Sequence, residues 1–280
     1  MHHYIAPFIL SLFFFAETVA DQWSGTGYAQ NSSVQLSHAQ HLLGNLSLQG
    51  AEHILDVGCG DGKITSILAK KVPQGFVVGI DPSISMLTKA EEIRKQSGAT
   101  NLTFCEGSAE NFSFDAHFDH IVAFHVMHWV KEQEKALKNI YAHLKPNGHV
   151  HFILAPSKEG LPFHKALQKT IHAWDEDFKG FVNSQQVFDM ETYRKLLVGA
   201  GFHVEAIQYV YHESIHENKE KLQAWIKQWL PHGKHLSATK QDIFLDELMN
   251  AYLTEIGFSL NTSNPVPWGE YVLIVEGTKL

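Results

Sequence analysis

The stretch Ile54 to Lys63, ILDVGCGDGK, decides the fold. Ile54, Leu55 and Val57 surround Asp56 in a buried-strand pattern, which breaks at once into three alternating glycines, Gly58, Gly60 and Gly62. The segment that follows, to Lys71, sets Ile64, Ile67 and Leu68 at helical spacing. Strand, glycine turn and helix form the first half of a Rossmann-type βαβ unit. Lacking Cβ atoms, the glycines can adopt positive φ and let a small molecule lie against backbone N–H groups at a helix N-terminus. A nucleoside-binding site is the first expectation.

Downstream, Phe76 to Ile80 reads as a second strand ending at Asp81, which lies 21 residues beyond Gly60. An acidic residue at about that distance is placed to accept hydrogen bonds from ribose hydroxyls. Pro82 and Ser83 turn the chain into a helix over Ile84 to Gln96, with Met86, Leu87 and Ala90 inward. Further strands are expected at Leu102 to Cys105, Phe118 to Phe124 and, after the turn signal Lys145 to Gly148, at His149 to Ala155. Beyond these, helices are predicted over Leu161 to Trp174, Met190 to Gly199, Asn218 to Leu230 and Lys240 to Ile256, with strands at His203 to Tyr211 and Tyr271 to Glu276. Upstream, Asn31 or Ser32 can cap a helix whose packed stripe is Leu36, Ala39, Leu42 and Leu43. Alternating strands and helices predict an α/β, doubly wound, mostly parallel Rossmann-like sheet of seven strands, the last antiparallel. Residues 22–280 form one domain in this reading, with helical lid inserts at 161–183 and 217–265.

The net charge of −8 and the lack of a basic stripe argue against nucleic-acid binding, whose affinity comes from accumulated Lys and Arg. Of the two cysteines, Cys59 lies in the glycine turn and Cys105 ends the third strand, roughly 10 Å apart across the second strand. That is too far for a disulfide. Residues 1–21 stand apart. Ile5 to Ala16 is a short apolar run followed by small residues suited to signal cleavage. It is too short to span a bilayer, and MHHY before it carries no Lys or Arg. An export signal, a weak anchor and a non-structural extension all remain open.

A glycine turn alone is compatible with NAD, FAD or S-adenosylmethionine. Here the spacing is GxGxG rather than GxGxxG, and Asp61 sits where a pyrophosphate would approach, an unfavourable meeting of like charges. A cofactor carrying a sulfonium and an ammonium tolerates that aspartate.

DVGCGDG at Asp56 to Gly62, GIDPS at Gly79 to Ser83, HVMHWV at His125 to Val130 and LKPNGHV at Leu144 to Val150 together resemble the class I S-adenosylmethionine-dependent methyltransferases, in order and spacing, over about Trp23 to Ala155. YAQNSSVQ at Tyr28 to Gln35 is similar to the juvenile hormone acid and trans-aconitate methyltransferase group. The resemblance implies that Asp56, Gly58, Cys59 and Gly60 hold the methionine part of the donor, that Asp81 holds the ribose, that Pro82, Ser83 and Met86 border the adenine, and that Tyr28 also contacts the donor. Such enzymes often have an aspartate after the third strand for the adenine amino group. This chain has Ser108, Ala109 and Glu110 there, so Glu110 or backbone groups would substitute. Phe124 would offer backbone contact beside the methyl donor. Gln35 and Trp129 are implied to donate N–H groups to a substrate carboxylate.

His125 and His128 invite a general-base or substrate-wall reading. A metal reading needs further ligands, and the sequence offers no such set. Trp225 and Trp229, four apart on one helical face, read as lid packing. The expected function is methyl transfer from S-adenosylmethionine to the carboxylate of a small apolar acid. The alternatives are transfer to an amine or hydroxyl with His125 or His128 as base, and a binding module without turnover. A small-molecule partner is expected, and no nucleic acid. The donor is expected in the cytosol whereas the leader points outward, and Asn111 in N-F-S would place a glycan beside the adenine loop. A cytoplasmic catalytic domain, tethered if the leader is retained, reconciles these.

Overall fold

The computed structural model describes residues 33–157 and 160–280. The leader and Tyr28 lie outside the described residues. Helix α1 (Ser33–Asn45) precedes β1 (His53–Val57), α2 (Lys63–Lys71), β2 (Phe76–Asp81), α3 (Ile84–Ser97), β3 (Leu102–Glu106) and β4 (Phe118–Phe124). A 3₁₀ turn at Met127–Trp129 leads to α4 (Gln133–His143) and β5 (Leu144–Leu154). Then come α5 (Pro162–Ala173), α6 (Met190–Ala200), β6 (His203–His216), α7 (Lys219–Trp229), α8 (Pro231–His235), α9 (Ala238–Glu255) and β7 (Val266–Thr278).

The seven strands form one sheet in the order β3-β2-β1-β4-β5-β7-β6, parallel from β3 to β5. β7 is antiparallel to both β5 and β6, as expected of the last strand. The order reverses between β1 and β4, so a crevice opens beyond their C-terminal ends, the usual place for a ligand in a doubly wound sheet. β1 and β4 are apolar on both faces because helices cover both. Ala39, Leu42 and Leu43 of α1 and Leu68 of α2 cover one, and Leu137 and Ile140 of α4 with Tyr193 and Leu197 of α6 cover the other. A third apolar cluster joins α5, α7 and α9 through Phe163, Trp225, Phe244 and Leu248, and reaches Val34 of α1 and Trp268 of β7.

Three strands depart from their expected bounds. β6 and β7 pair from His203/Thr278 to His216/Val266, with one register irregularity between Val204 and Ala206, and so run well beyond the predicted ends. The outer part of this ribbon carries His212, Glu213, His216, Gly269 and Glu270, and without apolar alternation it gave no strand signal. β5 begins at Leu144, which pairs with Phe118, and the predicted Lys145 to Gly148 turn persists as an irregularity in the ladder before pairing resumes at His120 and His149, with a left-handed Asn147 at φ 61°. The Asn147 N–H donates to the Lys279 carbonyl at 2.7 Å.

Candidate active site

The glycine turn is stitched to the end of β2. The Gly58 and Cys59 N–H groups both donate to the Ile80 carbonyl, at 2.7 and 2.9 Å. Gly60 N–H donates to Asp81 Oδ2 at 3.0 Å, and Ser83 N–H to Asp81 Oδ1 at 2.9 Å. Asp81 therefore ties the turn to the start of α3, with burial raising its carboxyl against those two hydrogen bonds. Gly58, Gly60 and Gly62 all have positive φ. At Gly58 the close approach matters too, since a Cβ there would overlap the methyls of Val126.

Asp56 is 2% exposed and accepts from Thr65 Oγ1 at 2.8 Å. Burial pushes it up to about 7, opposed by that hydrogen bond and reinforced by the charge of Asp81. Burial likewise raises the Cys59 thiol, aided by Asp56 and Asp81, so this cysteine is no nucleophile. Cys59 and Cys105 are both free. Asp61 pairs with Lys63 at 3.0 Å. Lys63 therefore offsets the Asp61 charge that would oppose a pyrophosphate.

The remaining donor-site candidates fall beside it. Gly107 N–H donates to the Asp81 carbonyl at 3.3 Å, which fixes the Ser108 loop next to Asp81. Ser108 gives its N–H and hydroxyl to Asn111 Oδ1, Ala109 is buried, and Glu110 is half-buried. Ser83 caps α3 through Met86 N–H, Met86 is buried, and Pro82 is exposed. Ile84, the first residue of α3, is an apolar side chain left 60% exposed.

Two cavities meet at the mouth of the sheet. A narrow cleft of about 30 Å³ is lined by Asp56, Gly58, Cys59, Gly60 and Phe124 and roofed by Gln35 and Leu36 of α1. A larger cavity of about 300 Å³ is walled by Trp129, Trp225, Trp229, Trp268 and Phe163, with His125, His128 and Glu270. Gln35 lines both. Its Oε1 accepts from Trp225 Nε1 at 3.3 Å. An indole N–H only donates, so it selects the carbonyl end of the amide and leaves the NH₂ end available.

The histidines divide. His128 is buried, and its Nδ1 accepts from the Ala155 N–H at 3.2 Å. Burial pushes it down to about 3, so the neutral ring carries its proton on Nε2 and has spent its lone pair. That ring can donate within the cavity but has no free site to accept a proton. His125 has φ 59°, a strained value for a non-glycine residue. Its Nε2 lies 3.1 Å from His38 Nδ1, and burial, then the charges of His128 and His212, push it down to about 3. His38 and Glu270 were not singled out in the sequence. A polar residue within an amphipathic helix and an acid in a strand extension give no signal until the fold joins them. Among the described residues no three His, Cys, Asp or Glu side chains are grouped to hold a metal ion.

The profile of a family described as a methyltransferase domain matches residues 48–229. A trans-aconitate 2-methyltransferase from Deinococcus radiodurans is 26% identical over 233 residues, covering 80% of this chain and 87% of that one. Among solved structures, a putative methyltransferase from Bacillus halodurans superposes with a TM-score of 0.62 at 18% identity, covering 87% of this chain and 99% of that one. Another is the Haemonchus contortus phospholethanolamine N-methyltransferase 2 in complex with phosphomonomethylethanolamine and S-adenosylhomocysteine. It has a TM-score of 0.60 at 16% identity and covers 92% of this chain and 58% of that one.

Proposed function

As a member of the methyltransferase-domain family, the chain is an S-adenosylmethionine-dependent enzyme, and we propose that it methylates the carboxylate of a small, apolar acid. The observation that carries this reading is Gln35, which borders both cavities and whose amide orientation is set by Trp225. Its NH₂ end, with Trp129 and the Nε2–H of His128, gives the acceptor cavity a set of N–H donors for a carboxylate. Among the described residues no Lys or Arg lines the cavity, so an acid with several carboxylates would be poorly matched. One carboxylate on an apolar body suits the tryptophan walls.

The bound donor supplies an electrophilic methyl group on its sulfonium. A carboxylate with a pKa near 4 is already ionised, so its oxygen can form the O–C bond as the S–C bond breaks, with no proton moved. The products are a methyl ester and a neutral thioether. What remains for the protein is alignment and exclusion of water. Gln35 and Trp129 would align the carboxylate, while the helices spanning 161–183 and 217–265 would act as the lid that keeps the cavity dry. Asp81 would hold the ribose, and Asp56 with the glycine turn the methionine end.

The catalytic domain is assigned to the cytosol, where the donor is expected. No described helix is long and apolar enough to cross a membrane. Asn101, in the sequon N-L-T, gives its amide to the carbonyls of Ala69 and Val72 at 3.0 and 2.8 Å, bonds that a glycan would destroy.

The test is transfer of labelled methyl by the purified full chain to a panel of fatty, isoprenoid and tricarboxylic acids, with base-labile label expected on the monocarboxylic members. No transfer to any acid would end the reading. A second reading, transfer to an amine, is favoured by Glu270 among the tryptophans, a set that can hold a cation. In that reading Glu270, raised to about 7, would take the amine's proton, since His125 is held down to about 3 and the His128 lone pair is spent.

A further inference from the structure

We infer that Glu270 sets which charge the acceptor cavity admits, so that an acid binds together with one proton taken up at Glu270. The inference rests on the carboxylate reading above. Glu270 stands on β7 directly opposite His212 of β6. Its Oε1 accepts from Trp268 Nε1 at 3.1 Å and lies 4.0 Å from His38 Nε2 of α1. His38 in turn meets His125 at 3.1 Å and lays its ring on His212 at 4.2 Å between centroids. The titratable groups around Glu270 are thus His38 from α1, His212 from β6, His125 from the turn after β4, and Tyr271 beside it on β7, which also lines the cavity.

The Glu270 side chain is 24% exposed and lines the cavity. An occupant would remove water from it. With no lysine or arginine among the described lining residues, an incoming carboxylate meets Glu270 without a permanent positive charge between them. Two carboxylates sharing such a site cannot both stay ionised without cost, and the like charge raises the proton affinity of the resident one. Burial already pushes the Glu270 carboxyl up to about 7, against the Trp268 hydrogen bond. Loss of water and the arriving negative charge act in the same direction. Protonated Glu270 would retain an acceptor for Trp268 and gain an O–H donor for the acid.

The experiment is titration calorimetry of the full chain saturated with S-adenosylhomocysteine, using straight-chain acids from octanoate to hexadecanoate and the amines of the same lengths. Wild type is expected to bind an acid about tenfold more weakly at pH 8 than at pH 6, with close to one proton taken up per acid at pH 8. Glu270→Gln mimics the protonated side chain. It should bind the acid with little pH dependence and more tightly than wild type at pH 8, by up to about tenfold. Trp268→Phe, which removes the hydrogen bond favouring the ionised form, should move the pH dependence upward. That variant serves as the second test if Glu270→Gln fails to fold. Flat wild-type affinity without proton uptake would overturn the inference and leave the carboxylate reading standing. Undiminished pH dependence in Glu270→Gln would also overturn it, because the proton would then reside elsewhere. Binding of the amines but of no acid would overturn the carboxylate reading, and the inference with it.

Discussion

Gly58→Ala tests the geometry of the glycine turn quantitatively. Gly58 has φ 70°, and a Cβ built there lies 2.7 Å from Val126 Cγ1 and overlaps Cγ2. Holding alanine in the left-handed region costs about 1–2 kcal/mol, and overpacking against Val126 adds roughly 1–3 kcal/mol. The variant should therefore lose about 2–5 kcal/mol. Val126→Ala removes both colliding methyls, so in the double variant the overpacking part should return while the backbone part stays. The coupling between the two changes should be favourable by about 1–3 kcal/mol, measured from urea unfolding of wild type, both single variants and the double. A double variant no more stable than additivity predicts would refute the claim that Val126 closes this turn. The turn also hangs on Ile80 through two N–H bonds, so Gly58→Ala should weaken S-adenosylhomocysteine binding in parallel.

Other outcomes follow from the same geometry. Gln35→Glu keeps an acceptor for Trp225 but puts a carboxylate oxygen where the NH₂ was, so unfolding stability should change by less than about 1 kcal/mol. Affinity for an acid should nevertheless fall by at least about tenfold, the worth of a hydrogen bond to a charged group; unchanged kcat/KM would remove Gln35 from the acceptor site. Acidification should destabilise the fold. His125, His128 and His151 are pushed down to about 3 and His232 to about 4, so their stabilising effect is present above about 6.5 and is lost as pH falls. Asp56 and Glu270, raised to about 7, work oppositely. Four protons gained on unfolding against two lost give a net slope of about 2.7 kcal/mol per pH unit between roughly pH 6 and 4.5. Equal urea midpoints at pH 6 and pH 4.5 would contradict this.

The glycine turn and Asp81 were legible because they need particular residue types at fixed spacing beside a strand. The sheet followed from its apolar strands, which helices bury on both faces. The outer β6–β7 ribbon was illegible, as backbone pairing extends it through polar residues. Glu270 was hidden with it. His38 sits 87 residues from His125 in sequence, and only the packing of α1 against the top of β4 makes them partners. His128 carried an ambiguous signal. The Ala155 N–H, a backbone group with no sequence signature, fixes its tautomer and takes its lone pair.

The central claim, a methyl-donor site built on the glycine turn and Asp81, is tested most directly by the thermal midpoint of the full chain with S-adenosylhomocysteine. At a ligand concentration of 100 times its Kd, wild type should gain about 2.7 kcal/mol, a rise of roughly 5–10 °C. Asp81→Asn sets an amide donor against one of the two N–H groups that Asp81 now accepts. Its shift at the same concentration should fall to less than half. An unmoved wild-type midpoint at millimolar S-adenosylhomocysteine, or an Asp81→Asn shift equal to that of wild type, would contradict the account.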